Sequence, residues 1–319
     1  MTEPEATWPA ALRPAFILPY FGHFPATFPY WLAGCARNPQ FTWLIYTDDH
    51  TPYDYPANVK IHYCTFAELR EHFETQLGFA TALTRPYKLC DFRPLYGYLF
   101  NKSLQGYTHW GYCDTDLLLG DLGRFLTPQL LTEREKISVL GHLSLVQNRP
   151  ELNTLFQRCD YRSVLQDKRN RIFDEVRFAP NINSLLTGAG YRLERTIPYA
   201  DIVAWHYAFA LSVYRGGDRC SILPRQPLIF SYRDGRLCGH TLVDGRVQTQ
   251  EYAYVHFQKR AVTCPEAQLA DYLLVPNAII PYAEVTPDLI QRYSQDHWQY
   301  NTQRWLERVR NAVKVHWGL

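Results

Sequence analysis

The chain is 319 residues long, 46% hydrophobic and 20% charged, with a formal net charge of +2. That balance describes a folded globular protein with a sizeable core and excludes a disordered chain. It also excludes the clustered basic footprint of a nucleic-acid binder, and no run approaches the ~20 apolar residues needed to cross a bilayer.

The acidic, Pro-containing start from Met1 to Pro9 lacks the basic and then apolar pattern of a secretory signal. Eight scattered cysteines contain no Cys-x-x-Cys pair, and several sit in apolar runs, so reduced thiols and a cytoplasmic location are expected. Aromatic residues reach 15%, with 23 Tyr and 8 Trp, a supply that suits sugar-stacking surfaces as well as cores.

In chain order, residues 15–18 form a short apolar strand that empties into Pro19-Tyr20-Phe21-Gly22. A helix over 28–35 follows, then a β-rich run over 41–47 that ends at Asp48-Asp49, and a third strand over 58–63. Thr65 and Glu68 have the spacing of a capping box and open the next helix. This alternation predicts an α/β fold with an open, mostly parallel sheet, in which ligands bind beyond the carboxyl ends of strands. A helical run over 95–104 precedes a β-type run over 108–113 that delivers Asp114-Thr115-Asp116. Residues 137–147 read as one strand and 150–171 as helical, and 220–262 read as short antiparallel strands with Asp-Gly turns at 234–235 and 244–245. The expected organisation is a catalytic unit over 1–285, its nucleotide-binding part at about 15–120 and its acceptor part at about 121–285. A helical segment over 286–319 follows. There Leu306, Val309, Val313 and Trp317 share one helical stripe beside Trp298 and Trp305, with Arg310 and Lys314 at its edges and Arg304 and Arg308 opposite. Such a helix either makes peripheral contact with an anionic membrane or packs on its own domain with a solvated basic face.

Two carboxylates at i and i+2 beyond a strand can reach one hard divalent cation and leave other positions for water and phosphate oxygens. Mg²⁺ or Mn²⁺ held by Asp114 and Asp116 would neutralise the charge building on a leaving diphosphate.

The stretch Trp110-Gly111-Tyr112-Cys113-Asp114-Thr115-Asp116-Leu117-Leu118-Leu119-Gly120-Asp121 resembles, together with other motifs, a bacterial family of GT-A-type polysaccharide-biosynthesis glycosyltransferases (DUF6625-like). The other motifs are Pro19-Tyr20-Phe21-Gly22, Tyr87-Lys88-Leu89-Cys90-Asp91-Phe92-Arg93-Pro94 and Phe173-Asp174-Glu175, in the same order over about residues 15–260. The resemblance implies a GT-A fold with a Rossmann-like nucleotide-binding half, a β-rich late section and a C-terminal helix. It also implies metal-dependent transfer from a nucleotide-diphosphate sugar, UDP-sugar favoured, to a hydroxyl of a glycan or glycolipid in surface polysaccharide synthesis. In several GT-A families a late histidine completes the metal site and a nearby Lys or Arg grips the diphosphate; His256 and Lys259-Arg260 have that form. Imidazole beside two carboxylates favours Mn²⁺ over Mg²⁺.

Further roles follow as expectations. Pro19, Tyr20, Phe21 and Gly22 lie against the base or ribose, and Asp48 or Asp49 holds the uracil edge or a ribose hydroxyl. Thr115 joins Asp114 at the donor. Lys88 reaches a phosphate or sugar oxygen and Asp91 a donor-sugar hydroxyl or the ribose, unless the two form an internal ion pair. Asp174 and Glu175 serve the acceptor side, as proton acceptor in an inverting transfer or as orienting groups in a retaining one. The competing functions are a haloacid-dehalogenase-like phosphatase or phosphotransferase, and a non-catalytic carbohydrate-binding protein. For the former, position 118 is Leu where Thr or Val is expected; the latter needs no metal set.

Overall fold

Successive side chains of β1 (Pro14–Tyr20) feed two different cores, Ala15 and Ile17 one and Phe16 and Leu18 the other. A strand apolar on both faces belongs inside a covered parallel sheet. In a computed structural model, which describes residues 8–175, 181–215, 220–258, 260–265 and 268–317, that is its position. β1 pairs in parallel with β2 (Thr42–Thr47), which in turn pairs with β3 (Val59–Tyr63). On its other side β1 pairs in parallel with β4 (His109–Cys113). β7 (Leu143–Gln147) runs antiparallel to β4, and β6 (Lys136–Ile137) and β8 (Leu193–Glu194) complete the order β3-β2-β1-β4-β7-β6-β8. The helix Phe66–Leu77 lies on one face of this sheet, burying Leu69, Phe73 and Leu77. Its first turn carries the expected capping box, Thr65 accepting from the Glu68 N–H and Glu68 accepting from the Thr65 N–H at 2.7 Å.

The second sheet has the order β11-β10-β9-β15-β5. Its strands are β5 (Leu117–Leu119), β9 (Tyr199–Ile202), β10 (Leu211–Tyr214), β11 (Cys220–Ile222) and β15 (Tyr254–His256). The third sheet is antiparallel, with β12 (Leu228–Arg233), β13 (Arg236–Val243), β14 (Arg246–Glu251), β16 (Tyr272–Val275) and β17 (Ala278–Pro281). Its two hairpin turns place Asp234, Gly235, Asp244 and Gly245 at positive φ, the backbone that a two-residue turn of this hand requires. Leu118, Ile202 and Val255 share a core with Phe230, Leu237 and Leu274, so the second and third sheets pack as one unit. The helix Pro287–Tyr293 adds Ile290 to the apolar cluster of the third sheet.

The fold is therefore mixed α/β and rich in strands. The expected mostly parallel sheet is realised in β1 to β4 alone, and the rest of the strand pairing is chiefly antiparallel. Three local expectations are corrected. Residues 137–147 make two antiparallel strands, broken where Ser138 takes φ 69°. The helical run over 95–104 reduces to Tyr96–Leu99 after a 3₁₀ stretch Pro86–Leu95 that contains Pro94. The run over 150–171 splits into Pro150–Asn153, Leu155–Arg158 and Tyr161–Gln166. All eight cysteines are free thiols. Among the described residues no helix is long and apolar enough to cross a membrane.

Candidate metal centre and cleft

Between β1 and β4 the strand order reverses its progression, and in open α/β sheets a crevice for ligands forms beyond the strand ends at such a point. A cleft of about 860 Å³ opens there. Pro19, Tyr20 and Phe21 line it from the end of β1, and Asp114, Thr115 and Asp116 from the end of β4.

Each acid of the triplet is fixed by the backbone around it. The Asp114 N–H donates to the His142 carbonyl at 3.0 Å, and its own carbonyl accepts from Trp31 Nε1 at 3.1 Å. The Asp116 carbonyl accepts from the Phe257 N–H at 3.1 Å, because β5 pairs antiparallel with β15. That pairing sets His256 opposite Leu117, and β15 also pairs in parallel with β9, where His256 stands opposite Asp201. The result is a histidine between two acids. His256 Nδ1 is 2.8 Å from Asp201 Oδ1, and Nε2 is 3.5 Å from Asp116 Oδ1.

The chemistry of this set fits a divalent cation. Asp114, Asp116 and His256 offer ligand atoms all within 4.8 Å of one another, as do His142, Asp201 and His256. A carboxylate can only accept, so Nδ1 of His256 carries its proton toward Asp201, and Nε2, once a cation displaces its proton, would turn a lone pair to the Asp114–Asp116 side. Asp201 is held in turn by Ser212 Oγ and by Gln258 Nε2 at 3.0 Å. Six carboxylates line the cleft among the described residues (Asp114, Asp116, Asp174, Glu175, Asp201 and Glu307) against two guanidinium groups, Arg93 and Arg304. Burial opposes charge on His256, yet the flanking Asp116 and Asp201 hold its pKa well above the usual imidazole range. Burial acts the same way on His142, whose ring stacks on His256 at 4.5 Å, but there the neighbouring imidazole adds to desolvation and the pKa falls to about 3.

The second group of acids is organised by Arg93. One guanidinium nitrogen donates to Asp114 Oδ1, and the other to Asp174 Oδ2 at 2.9 Å and the Gly141 carbonyl at 2.8 Å. Gly141 has no side chain because none fits: a Cβ there would lie 2.6 Å from Asp174 Oδ2 and 2.9 Å from Glu175 Oε1. Burial raises the Asp174 carboxyl to about 7 despite Arg93, with Glu175 adding to the rise. Desolvation likewise raises Asp114, against the pull of Arg93.

Several residues expected at the site lie elsewhere. Lys88 and Asp91 are both fully buried and pair with each other at 2.7 Å. Lys88 also donates to the Val164 and Arg169 carbonyls, and Asp91 accepts the N–H groups of Arg171 and Phe173, so the pair secures the loop that carries Asp174. Neither lines the cleft, so the internal ion pair is the alternative realised, in place of contact with a donor. Arg260 is turned inward too, donating to the carbonyls of Val203, His206 and Tyr207 and to Asn277 Oδ1; burial lowers its pKa to about 10. Lys259 lies outside the described residues. Asp48 accepts the Gly22 N–H at 2.8 Å and Asp49 the Phe24 N–H at 2.9 Å, so both acids shape the β1 loop outside the cleft wall, with Gly22 at φ +91°. Conversely, Arg93, His142 and Asp201 enter the cleft without having been singled out. Arg93 lies within the Tyr87–Pro94 motif, whereas His142 and Asp201 reach the site through strand pairing that no local pattern announces.

The sheet order, the cleft at its switch point and the acid–imidazole cluster define a mixed α/β protein with a candidate cation site. The chain belongs to the family described as "Family of unknown function (DUF6625)", which matches residues 16–283. No curated protein matches the sequence.

Proposed function

We propose that the protein is a metal-dependent glycosyltransferase of the GT-A type that transfers a sugar from a nucleotide-diphosphate sugar, UDP-sugar favoured, to a hydroxyl acceptor. The observation that carries this reading is the meeting of Asp114, Asp116 and His256 in a cleft beyond the parallel strands, with Asp174 and Glu175 in the same cleft. The parallel run β3-β2-β1-β4 supports a Rossmann-like donor half, and the aromatic rings of Tyr20 and Phe21 at its end suit a nucleobase or ribose.

A Mn²⁺ ion, once bound, supplies Lewis-acid stabilisation of the departing diphosphate. Asp114, Asp116 and His256 are the residues that would hold it, with Asp201 fixing the tautomer of His256. Arg93 takes over the phosphate role expected of Arg260, since Arg93 and Arg304 are the cations on the cleft wall among the described residues. For an inverting transfer the Asp174–Glu175 pair receives the acceptor proton; a carboxyl raised to about 7 is matched to that task near neutral pH. The acceptor reads as a glycan or glycolipid of surface polysaccharide synthesis.

The test is a panel of UDP-, GDP- and CMP-sugars with and without Mn²⁺, scored by thermal shift and by release of nucleoside diphosphate. Metal-dependent stabilisation and release that vanish in Asp116→Ala are expected. If no sugar nucleotide stabilises the wild type in either condition, the reading fails.

A further inference from the structure

The helix Trp298–Trp317 packs on the protein by its polar side. Asn301 Oδ1 accepts the Tyr207 N–H at 2.7 Å, the Tyr300 hydroxyl donates to the Ala204 carbonyl at 3.4 Å, and Arg304 donates to Tyr300 and Glu307. Arg304 and Glu307 also line the cleft that holds Asp116 and His256. The apolar side points the other way: Trp298 is 74% exposed, Trp305 58% and Leu306 45%. An amphipathic helix serving only its own domain buries the opposite face.

The charge of this helix indicates what covers the outward face. Between Trp298 and Trp317 the sequence has four basic residues (Arg304, Arg308, Arg310 and Lys314) against one acidic, Glu307, while the whole chain carries only +2. In the sequence Val309, Val313 and Trp317 recur at helical spacing from Leu306, with Arg310 among them; of these four, only the Arg310 side chain belongs to the described ones, and it is exposed. Tryptophan with aliphatic residues on one side and basic residues at the margin is the pattern of a helix lying in the headgroup region of an anionic bilayer.

We infer that this helix docks the protein on an anionic membrane surface, its Trp298–Trp305–Leu306 face in the headgroup layer and its Arg304–Glu307 side forming the wall of the cleft. One helix thereby serves both the bilayer and the cleft, so the cleft opens where an amphiphilic, lipid-linked acceptor is presented; that last step alone rests on the transferase reading.

The experiment is co-sedimentation of the full chain with unilamellar vesicles of phosphatidylglycerol and phosphatidylcholine, against pure phosphatidylcholine, at low and high salt. Binding to the anionic vesicles that weakens with salt is expected. Trp298→Ser/Trp305→Ser should lower it at least tenfold, and Arg310→Glu should weaken it on anionic vesicles. Both variants change exposed positions, so unfolding temperatures should match the wild type. Equal sedimentation with both vesicle types, or none with either, overturns the inference. So does self-association of the wild type, seen by light scattering, that the Trp double variant abolishes, because a second copy would then cover the face. None of these readouts uses a sugar nucleotide, so failure here and failure of the transferase reading are separate results.

Discussion

His256 reaches Asp201 through Nδ1 at 2.8 Å while its Nε2 stands 3.5 Å from Asp116. A carboxylate behind an imidazole fixes ring orientation and basicity, and such partners are typically worth 10–100-fold in metal affinity. Asp201→Ala is therefore expected to weaken Mn²⁺ binding by about that factor, with Asp201→Asn intermediate because it keeps an acceptor but loses the charge. Calorimetric titration of Mn²⁺ measures both. Wild-type affinity in Asp201→Ala would detach Asp201 from the centre.

Gly141→Ala probes the acid pair first, because Asp174 Oδ2 is the atom nearest the added methyl. The new methyl would stand 2.6 Å from Asp174 Oδ2, which must move or force the loop to move. Misplacement of about 1 Å at a reacting group costs on the order of 100-fold. The expected outcome is a fall of that order in kcat for nucleotide release, with Mn²⁺ affinity retained; an unchanged kcat would sink the role given to Asp174 and Glu175.

Asp91→Ala should act on stability. It leaves the Lys88 ammonium buried without its carboxylate and strips the acceptor from the Arg171 and Phe173 N–H groups. Breaking a buried ion pair in this way costs about 3–5 kcal/mol, readable as a shift of the urea midpoint. Near-wild-type stability would mean that the pair does not secure the Asp174 loop.

Lys136 gives the protein a pH signature. Its ammonium donates to the Ser138 carbonyl from a buried position, and desolvation, partly offset by Asp174, lowers its pKa from 10.5 to about 7. Between about pH 7 and 10 the unfolded chain holds a proton here that the native state has released. Stability then rises with pH, with a limiting slope of about 1.4 kcal/mol per unit, and below pH 7 the full penalty of the buried charge is in force. In Lys136→Met the contribution should disappear, flattening the curve of unfolding free energy between pH 7.5 and 9. Identical slopes in both proteins would show that Lys136 keeps its proton when folded.

The parallel half of the fold was legible because strands apolar on both faces and a Thr65–Glu68 capping box are local signals, and local signals also marked the Asp-Gly turns. The triplet Asp114-Thr115-Asp116 was legible for the same reason: it directly follows a β run. Lys88 and Arg260 misled because a basic side chain near an acid motif looks the same whether it faces phosphate or backbone carbonyls; full burial, which the sequence does not print, decides. Asp201 and His142 were invisible because they stand 55 and 114 residues from His256 and meet it only through the pairing of β9 with β15 and the turn after Ser138.

β4 belongs to the first sheet and β5 to the second, and the backbone between them is Asp114-Thr115-Asp116. The two carboxylates therefore hang from different layers of the molecule on either side of a single residue. A cation held by both would act as a rivet beside a covalent joint, tying the end of one sheet to the start of the next. A ligand that drew the walls of the cleft together would therefore also change the reach between the two acids, and with it the grip on the ion.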